Sequence, residues 1–458
     1  MNFIDDNEIW KIIEKSKNKE KSEVRDILKK ADEAKGLSIY EASVLLHTTD
    51  QDLLNEIFVM AKKIKEYIYG NRIVIFIPLY ISNECGNICS YCAFRADNNE
   101  LDRRTLTLQD IKNEVEQIQK QGHKRVLAVF GETIKTNAEK MVENIQAIYS
   151  VQTQPCGEIR RVNVNAAPLS VDDFKILHSS KIGTYQCFQE TYHRATYEKV
   201  HIAGVKRDFN WRLYALHRAQ EAGIDDVASG VLYGLFDPYF DTLAMLRHAE
   251  DLENLFGVGP HTVSFPRLEP ALGSELSKKP PYLVDDELFK KIIAVLRLTI
   301  PYTGMILSTR ENPALRRELI NLGVSQISAG SKTSPGSYHE SGLHKHDSEQ
   351  FMVGDERSLD EVIYELIKND HIPSFCTACY RLGRHGDHFM DLAKNLHIKS
   401  FCQPNALLTF AEFLEDYASE KTKTAGYEMI EKFITNGKMD GINCEIQEIR
   451  SGKRDIFH

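Results

Sequence analysis

The sequence predicts an α/β fold, a closed (β/α)8 barrel of TIM type with helical extensions at both ends. Three observations predict it. Between residues 73 and 331, eight short β-branched runs alternate with amphipathic helical segments, the pattern of parallel βα units. Those units fill about 260 residues, the usual size of such a barrel. No glycine-rich nucleotide fingerprint follows the first run, as a doubly wound open sheet would favour.

The elements follow in order. Residues 1–70 place Ile9, Ile12 and Ile13 at helical spacing among Lys and Glu, which predicts a helical lead-in. Strands are expected at 73–81, 125–130, 161–166, 184–190, 226–233, 262–266, 304–309 and 326–330. Thr107 with Asp110 three residues on reads as a capping box, and Gly122 follows that helix. Asn312-Pro313 opens a later helix that Gly323 closes. The barrel is thus assigned to 71–340, and 341–458 is read as a separate, mainly helical C-terminal module.

The chain has 458 residues, 42% apolar and 27% charged, the composition of an ordinary globular protein. A net charge of -9 disfavours the positive field that a phosphate backbone needs, so no nucleic-acid partner is expected. No run approaches the roughly 20 apolar residues of a membrane span, and the first residues lack the pattern of a secretory signal. A cytoplasmic location is expected. In that reducing compartment the nine cysteines read as metal ligands or reactive thiols before disulfides.

Barrels of this kind do their chemistry at the C-terminal ends of the strands. Cys85, Cys89 and Cys92 follow the first run, Gly131-Glu132 the second, Asn165 lies near the end of the third and Glu190 ends the fourth. The sixth is flanked by His261 and Arg267, and the seventh ends in Ser308-Thr309-Arg310-Glu311. All of these are expected at that one mouth.

Cys85, Cys89 and Cys92 form C-x3-C-x2-C. Three thiolates at this spacing can hold three irons of a cubane and leave the fourth iron open. A structural zinc wants a fourth nearby ligand, and is the weaker alternative. Cys376, Cys379 and Cys402 form C-x2-C-x22-C outside the barrel, where a zinc site completed by His385 or His388 is a serious rival.

With Tyr91 just before its third cysteine, the first motif resembles that of the radical S-adenosylmethionine enzymes. Taken with the trailing cysteines, Gln189-Glu190-Thr191-Tyr192-His193 and the run from His261 to Pro270, nearly the whole chain resembles the HydG-like tyrosine lyases, which serve FeFe-hydrogenase maturation. Their ThiH-like relatives share the barrel without the second trio.

The resemblance implies S-adenosylmethionine on a 4Fe-4S cluster held by Cys85, Cys89 and Cys92. Tyr91, Gly131, Glu132, Asn165, Glu190 and Arg212 would contact that cofactor, although Phe130 replaces the first glycine of the family's Gly-Gly-Glu. Arg310, with Ser308 in the same run, would grip the carboxylate of L-tyrosine. The reaction implied is cleavage of the Cα–Cβ bond to p-cresol and dehydroglycine. A second 4Fe-4S cluster on Cys376, Cys379 and Cys402 would then yield carbon monoxide and cyanide on a labile fifth iron. His261 and a bridging cysteine or similar amino acid would hold that iron. An external electron donor and hydrogenase maturation scaffold proteins are the partners implied. Bland readings stand beside these: barrel-mouth salt bridges for Glu132 and Glu190, an Arg310–Glu311 pair, and a core histidine at 261. Two other functions compete, a ThiH-like lyase of another aromatic amino acid and a non-catalytic metal-cluster scaffold.

Overall fold

The computed structural model describes residues 3–340, 348–435 and 441–458. Eight parallel strands close on themselves: β1 (Arg72–Ser82), β2 (Arg125–Phe130), β3 (Arg161–Asn165), β4 (Tyr185–Gln186), β5 (Val227–Gly230), β6 (Thr262–Ser264), β7 (Gly304–Leu307) and β8 (Gln326–Ser328). Closure comes from β1 pairing β8 at Val74–Gln326 and β2 from Ile77 onward. The expected barrel is therefore present. β1 is apolar along nearly its whole length because it is covered by side chains inside and helices outside.

Several runs are shorter than the sequence predicts. The fourth keeps ladder pairing only at Tyr185–Gln186, and Glu190 returns as an isolated parallel bridge to Val231. The chain bulges between these points, and Glu190 takes φ 70, a region most side chains avoid.

Helix punctuation is as read. Thr107 and Asp110 cap Leu108–Lys120 reciprocally, and Asn312 accepts from Leu315 N at 3.0 Å with Pro313 in the first turn. Four helices, Asp6–Ser16, Lys21–Ala31, Ile39–His47 and Gln51–Tyr69, precede β1 and share the core of the barrel helix Asp286–Thr299.

A ninth strand, β9 (Ile372–Ser374), decides where the second cysteine trio lies. It runs parallel to the first residues of β1, Arg72 to Val74, on the side that β2 occupies higher up. Cys376 therefore emerges at the N-terminal end of the barrel. Helices Ala378–Arg381 and Ile398–Asp416 carry Cys379 and Cys402. Among the described residues no helix is long and apolar enough to cross a membrane.

Candidate functional site

Two cavities occupy the two ends of the barrel. The upper, about 230 Å³, lies at the C-terminal ends of the strands, and Cys85, Cys89, Tyr91, Cys92, Gly131, Glu132, Asn165, Glu190, Arg212, Ser308 and Arg310 all line it.

The cysteine loop is tied down on two sides. Gly86 N donates to Glu132 O at 2.8 Å, and Ile88–Cys89 pairs antiparallel with His201–Ala203. Asn87 joins the pieces: Nδ2 donates to Glu132 Oε2 at 2.8 Å and approaches Cys85 Sγ at 3.6 Å, while Oδ1 accepts from Lys206 N at 2.9 Å. Arg103 donates to the carbonyls of Asn83 and Phe94, at 2.9 and 2.8 Å. Gly131 is required, since a Cβ there would lie 2.1 Å from Glu84 O. Burial pushes the Cys89 thiol up to about 12, so this pocket favours thiolates only when a cation compensates them. Tyr91 donates or accepts at 2.8 Å with His201 Nε2, which gives His201 a partner beyond its contact with Tyr197 O.

Glu190 sits between two cations, with Lys206 Nζ at 2.7 Å and Arg212 Nη2 at 3.6 Å. Burial alone would raise its carboxyl, but Lys206 and Arg212 outweigh burial and hold it below the usual carboxylate range. Arg212 also donates from Nε to Phe188 O at 2.6 Å.

Arg310 is not paired with Glu311. That carboxylate belongs to Arg267, whose Nε lies 3.0 Å from Oε1. The Arg310 guanidinium rests 3.3 Å from the centroid of Phe351, with Nη1 3.4 Å from Arg267 O, and among the described residues no ion pair claims it. Burial lowers its proton affinity, but a guanidinium stays charged.

The lower cavity, about 50 Å³, lies at the N-terminal ends and is lined by Cys376, Cys379, Cys402 and His261. This corrects the expectation that His261 belongs to the upper mouth. It precedes β6, and its amide donates to Val227 O at 2.9 Å, at the start of β5. Strand starts supply the rest of this end: Arg72, Arg125 and Arg161 open β1, β2 and β3. Arg125 Nη2 donates to Cys376 O at 2.8 Å, and Arg161 stacks on Tyr380. Of the coupled thiols Cys379 and Cys402, Cys402 is held low by Cys379, Arg72 and Arg384, and Cys379 is pushed up. This basic, buried setting suits an anionic thiolate-bound cluster. His385 turns to Asp225 at 2.8 Å, and neither it nor His388 lines the cavity, so the histidine at the trio is His261. Among the described residues no three His, Cys, Asp or Glu close round a point as the ligands of one ion would.

The inward face of β1 runs from one cavity to the other, Val74 lining the lower and Phe76, Pro78 and Tyr80 the upper.

Comparison with known proteins bears on the fold and the family. The radical SAM superfamily profile matches residues 79–249, and that of the biotin and thiamin synthesis associated domain matches 264–372. The 2-iminoacetate synthase of Salmonella typhimurium is 32% identical over 332 residues, 72% of this chain and 84% of that protein. A crystal structure of HydG, a maturase of FeFe-hydrogenase, superposes with a TM-score of 0.96 at 48% identity over 100% of both chains. The chain belongs to the HydG family of radical SAM enzymes. A second HydG, from Carboxydothermus hydrogenoformans, matches at 41% identity and TM-score 0.83 over 97% of each chain. Radical SAM membership brings with it S-adenosylmethionine and one 4Fe-4S cluster.

In this HydG-family chain, sequence reasoning missed Lys206 and Asn87 at the upper site and the strand-start arginines and Asp226 at the lower. Lys206 carried no motif signal. The arginines did carry one, a charged residue opening each of three buried strands.

Proposed function

We propose that this chain is a tyrosine lyase working in two stages at the two ends of its barrel. At the upper site L-tyrosine is cleaved between Cα and Cβ to p-cresol and dehydroglycine. At the lower site dehydroglycine would break down to carbon monoxide, cyanide and water, the first two for capture on a labile iron and assembly of the FeFe-hydrogenase active site. One observation carries the reading: two cysteine trios, each in its own cavity, with a histidine beside the second.

A 4Fe-4S cluster held by Cys85, Cys89 and Cys92 would supply the electron for radical chemistry on bound S-adenosylmethionine. The chain's residues orient and shield. Glu132, Asn165, Glu190 and Arg212 fix the cofactor's polar groups, and the Gly131 backbone lets it approach. Tyr91, held by His201, walls the cluster. Arg310 binds the tyrosine carboxylate through its fork of donors, with Ser308 beside it, and places the amino group toward the radical. Lining by Phe76, Phe188 and Phe351 excludes water that would quench it. Cys376, Cys379 and Cys402 would hold a second cluster, and His261, with a cysteine or similar amino acid, would hold the labile iron. The inward face of the barrel is the path for dehydroglycine. A reductant meets the upper end, and maturation scaffold proteins in the cytoplasm take the iron product.

Tyrosine labelled with 13C at Cα and the carboxyl, supplied without oxygen and with reductant, tests this. Unlabelled p-cresol with label in iron-bound carbon monoxide and cyanide is expected. Release of p-cresol with no label on iron leaves a ThiH-like lyase instead.

A further inference from the structure

Behind His261, away from the cavity, stands a buried carboxylate that no step above uses. Asp226 immediately precedes β5, as His261 precedes β6, so the register of two neighbouring strands sets them side by side. Its Oδ1 lies 3.4 Å from His261 Nδ1. That contact is too poorly aligned to count as a hydrogen bond, and among the described residues Nδ1 has no other partner. The other ring nitrogen, Nε2, meets the hydroxyl of Tyr380, which lines the cavity with His261, at 3.1 Å. Asp226 does not line the cavity, and both of its oxygens are engaged: Oδ2 accepts from Arg161 Nη2 at 3.2 Å and Oδ1 from Gly386 N at 3.1 Å. Asp226 is 4% exposed and His261 6%.

We propose that Asp226 is a positioning residue that keeps the proton of His261 on Nδ1 and so leaves the Nε2 lone pair free for the labile iron. This rests on the two-stage reading above. A ligating histidine commonly donates its other N–H to a carboxylate, which fixes tautomer and ring orientation. The Tyr380 hydroxyl is the present partner of Nε2, and a metal there would require it to rotate away. Asp226 also ties Gly386, in the segment between Cys379 and Cys402, to the barrel, so the histidine and the thiols are set by one group.

The test exploits the donors already on Asp226. In Asp226→Asn the charged Arg161 keeps the amide oxygen at the Oδ2 position, so the NH2 takes the Oδ1 position, where it gives up the Gly386 N bond and faces His261 Nδ1. The ring proton then moves to Nε2, where the iron should bind. Reconstituted full-length protein is titrated with a mild iron chelator, and electron paramagnetic resonance follows both cubanes and the coupled labile iron. The expected result is tenfold to hundredfold weaker retention of the labile iron with both cubane signals intact, and recovery in Asp226→Glu. Wild-type retention in Asp226→Asn overturns the inference while leaving the two-stage reading standing. Loss of a cubane signal together with the labile iron also overturns it, since Asp226 is then only a tie between barrel and module. Wild-type retention in His261→Ala overturns the reading of His261 and the inference with it.

Discussion

Arg267 holds Glu311 through its Nε at 3.0 Å, and this leaves Arg310, one residue before that carboxylate, free to face the upper cavity. An adjacent Arg-Glu pair in the sequence suggests a local salt bridge, but the two side chains serve different partners. Arg310→Lys should therefore lose fork geometry without losing charge. We expect kcat/KM for tyrosine to fall roughly 100-fold, about 3 kcal/mol, mostly through KM. Initial rates of p-cresol release against tyrosine concentration check this, and an unchanged KM would remove Arg310 from carboxylate binding.

Lys206 is the nearer of the two cations on Glu190. Lys206→Met leaves a buried carboxylate with Arg212 alone and should cost roughly 2–3 kcal/mol of stability at pH 7. Because the folded Glu190 carboxyl is held low, the stabilisation exists above its unfolded value and is lost as pH falls through the folded one. The gap in thermal midpoint between wild type and Lys206→Met should thus narrow as pH falls below about 4. A gap independent of pH would mean that packing, not charge, is what Lys206 provides.

Cys376→Ala removes a thiolate from the lower cavity only. Release of p-cresol should persist near the wild-type rate, while infrared bands of iron-bound carbon monoxide and cyanide should vanish. Equal loss of both would contradict two separate stages.

Asp241 is fully buried beneath the fourth strand, accepting from Tyr192 N at 2.8 Å and Thr191 Oγ1 at 3.0 Å, and burial pushes its carboxyl up to about 7. A raised carboxyl contributes stability below its unfolded value of about 4, lost as pH rises through 7. Wild-type thermal midpoints should decline from pH 5 to 8, and Asp241→Asn should flatten that decline by an amount on the order of a few kcal/mol.

The sequence made the barrel legible because its strands, buried on both faces, are apolar runs, and its helices announce themselves through Thr107, Asp110 and Asn312-Pro313. Both trios were legible through local spacing. The division of the chemistry between two ends was not. His261 precedes the strand expected at 262–266, which already pointed to the lower end, but placing Cys376 there requires β9, three residues that pair with β1 from 300 positions away. Arg125 meets the Cys376 carbonyl across 251 residues and Arg161 meets Asp226 across 65, contacts that no local pattern encodes. Lys206 acquires meaning only once the bulge at Glu190 turns a carboxylate into the cavity.

The central claim is that the upper trio leaves one iron open for a sulfonium ligand that is split by a single electron. Anaerobically reconstituted protein given dithionite, S-adenosylmethionine and tyrosine should form 5'-deoxyadenosine and p-cresol in step, as measured by liquid chromatography and mass spectrometry. Fully iron-loaded protein that forms no deoxyadenosine would contradict the account.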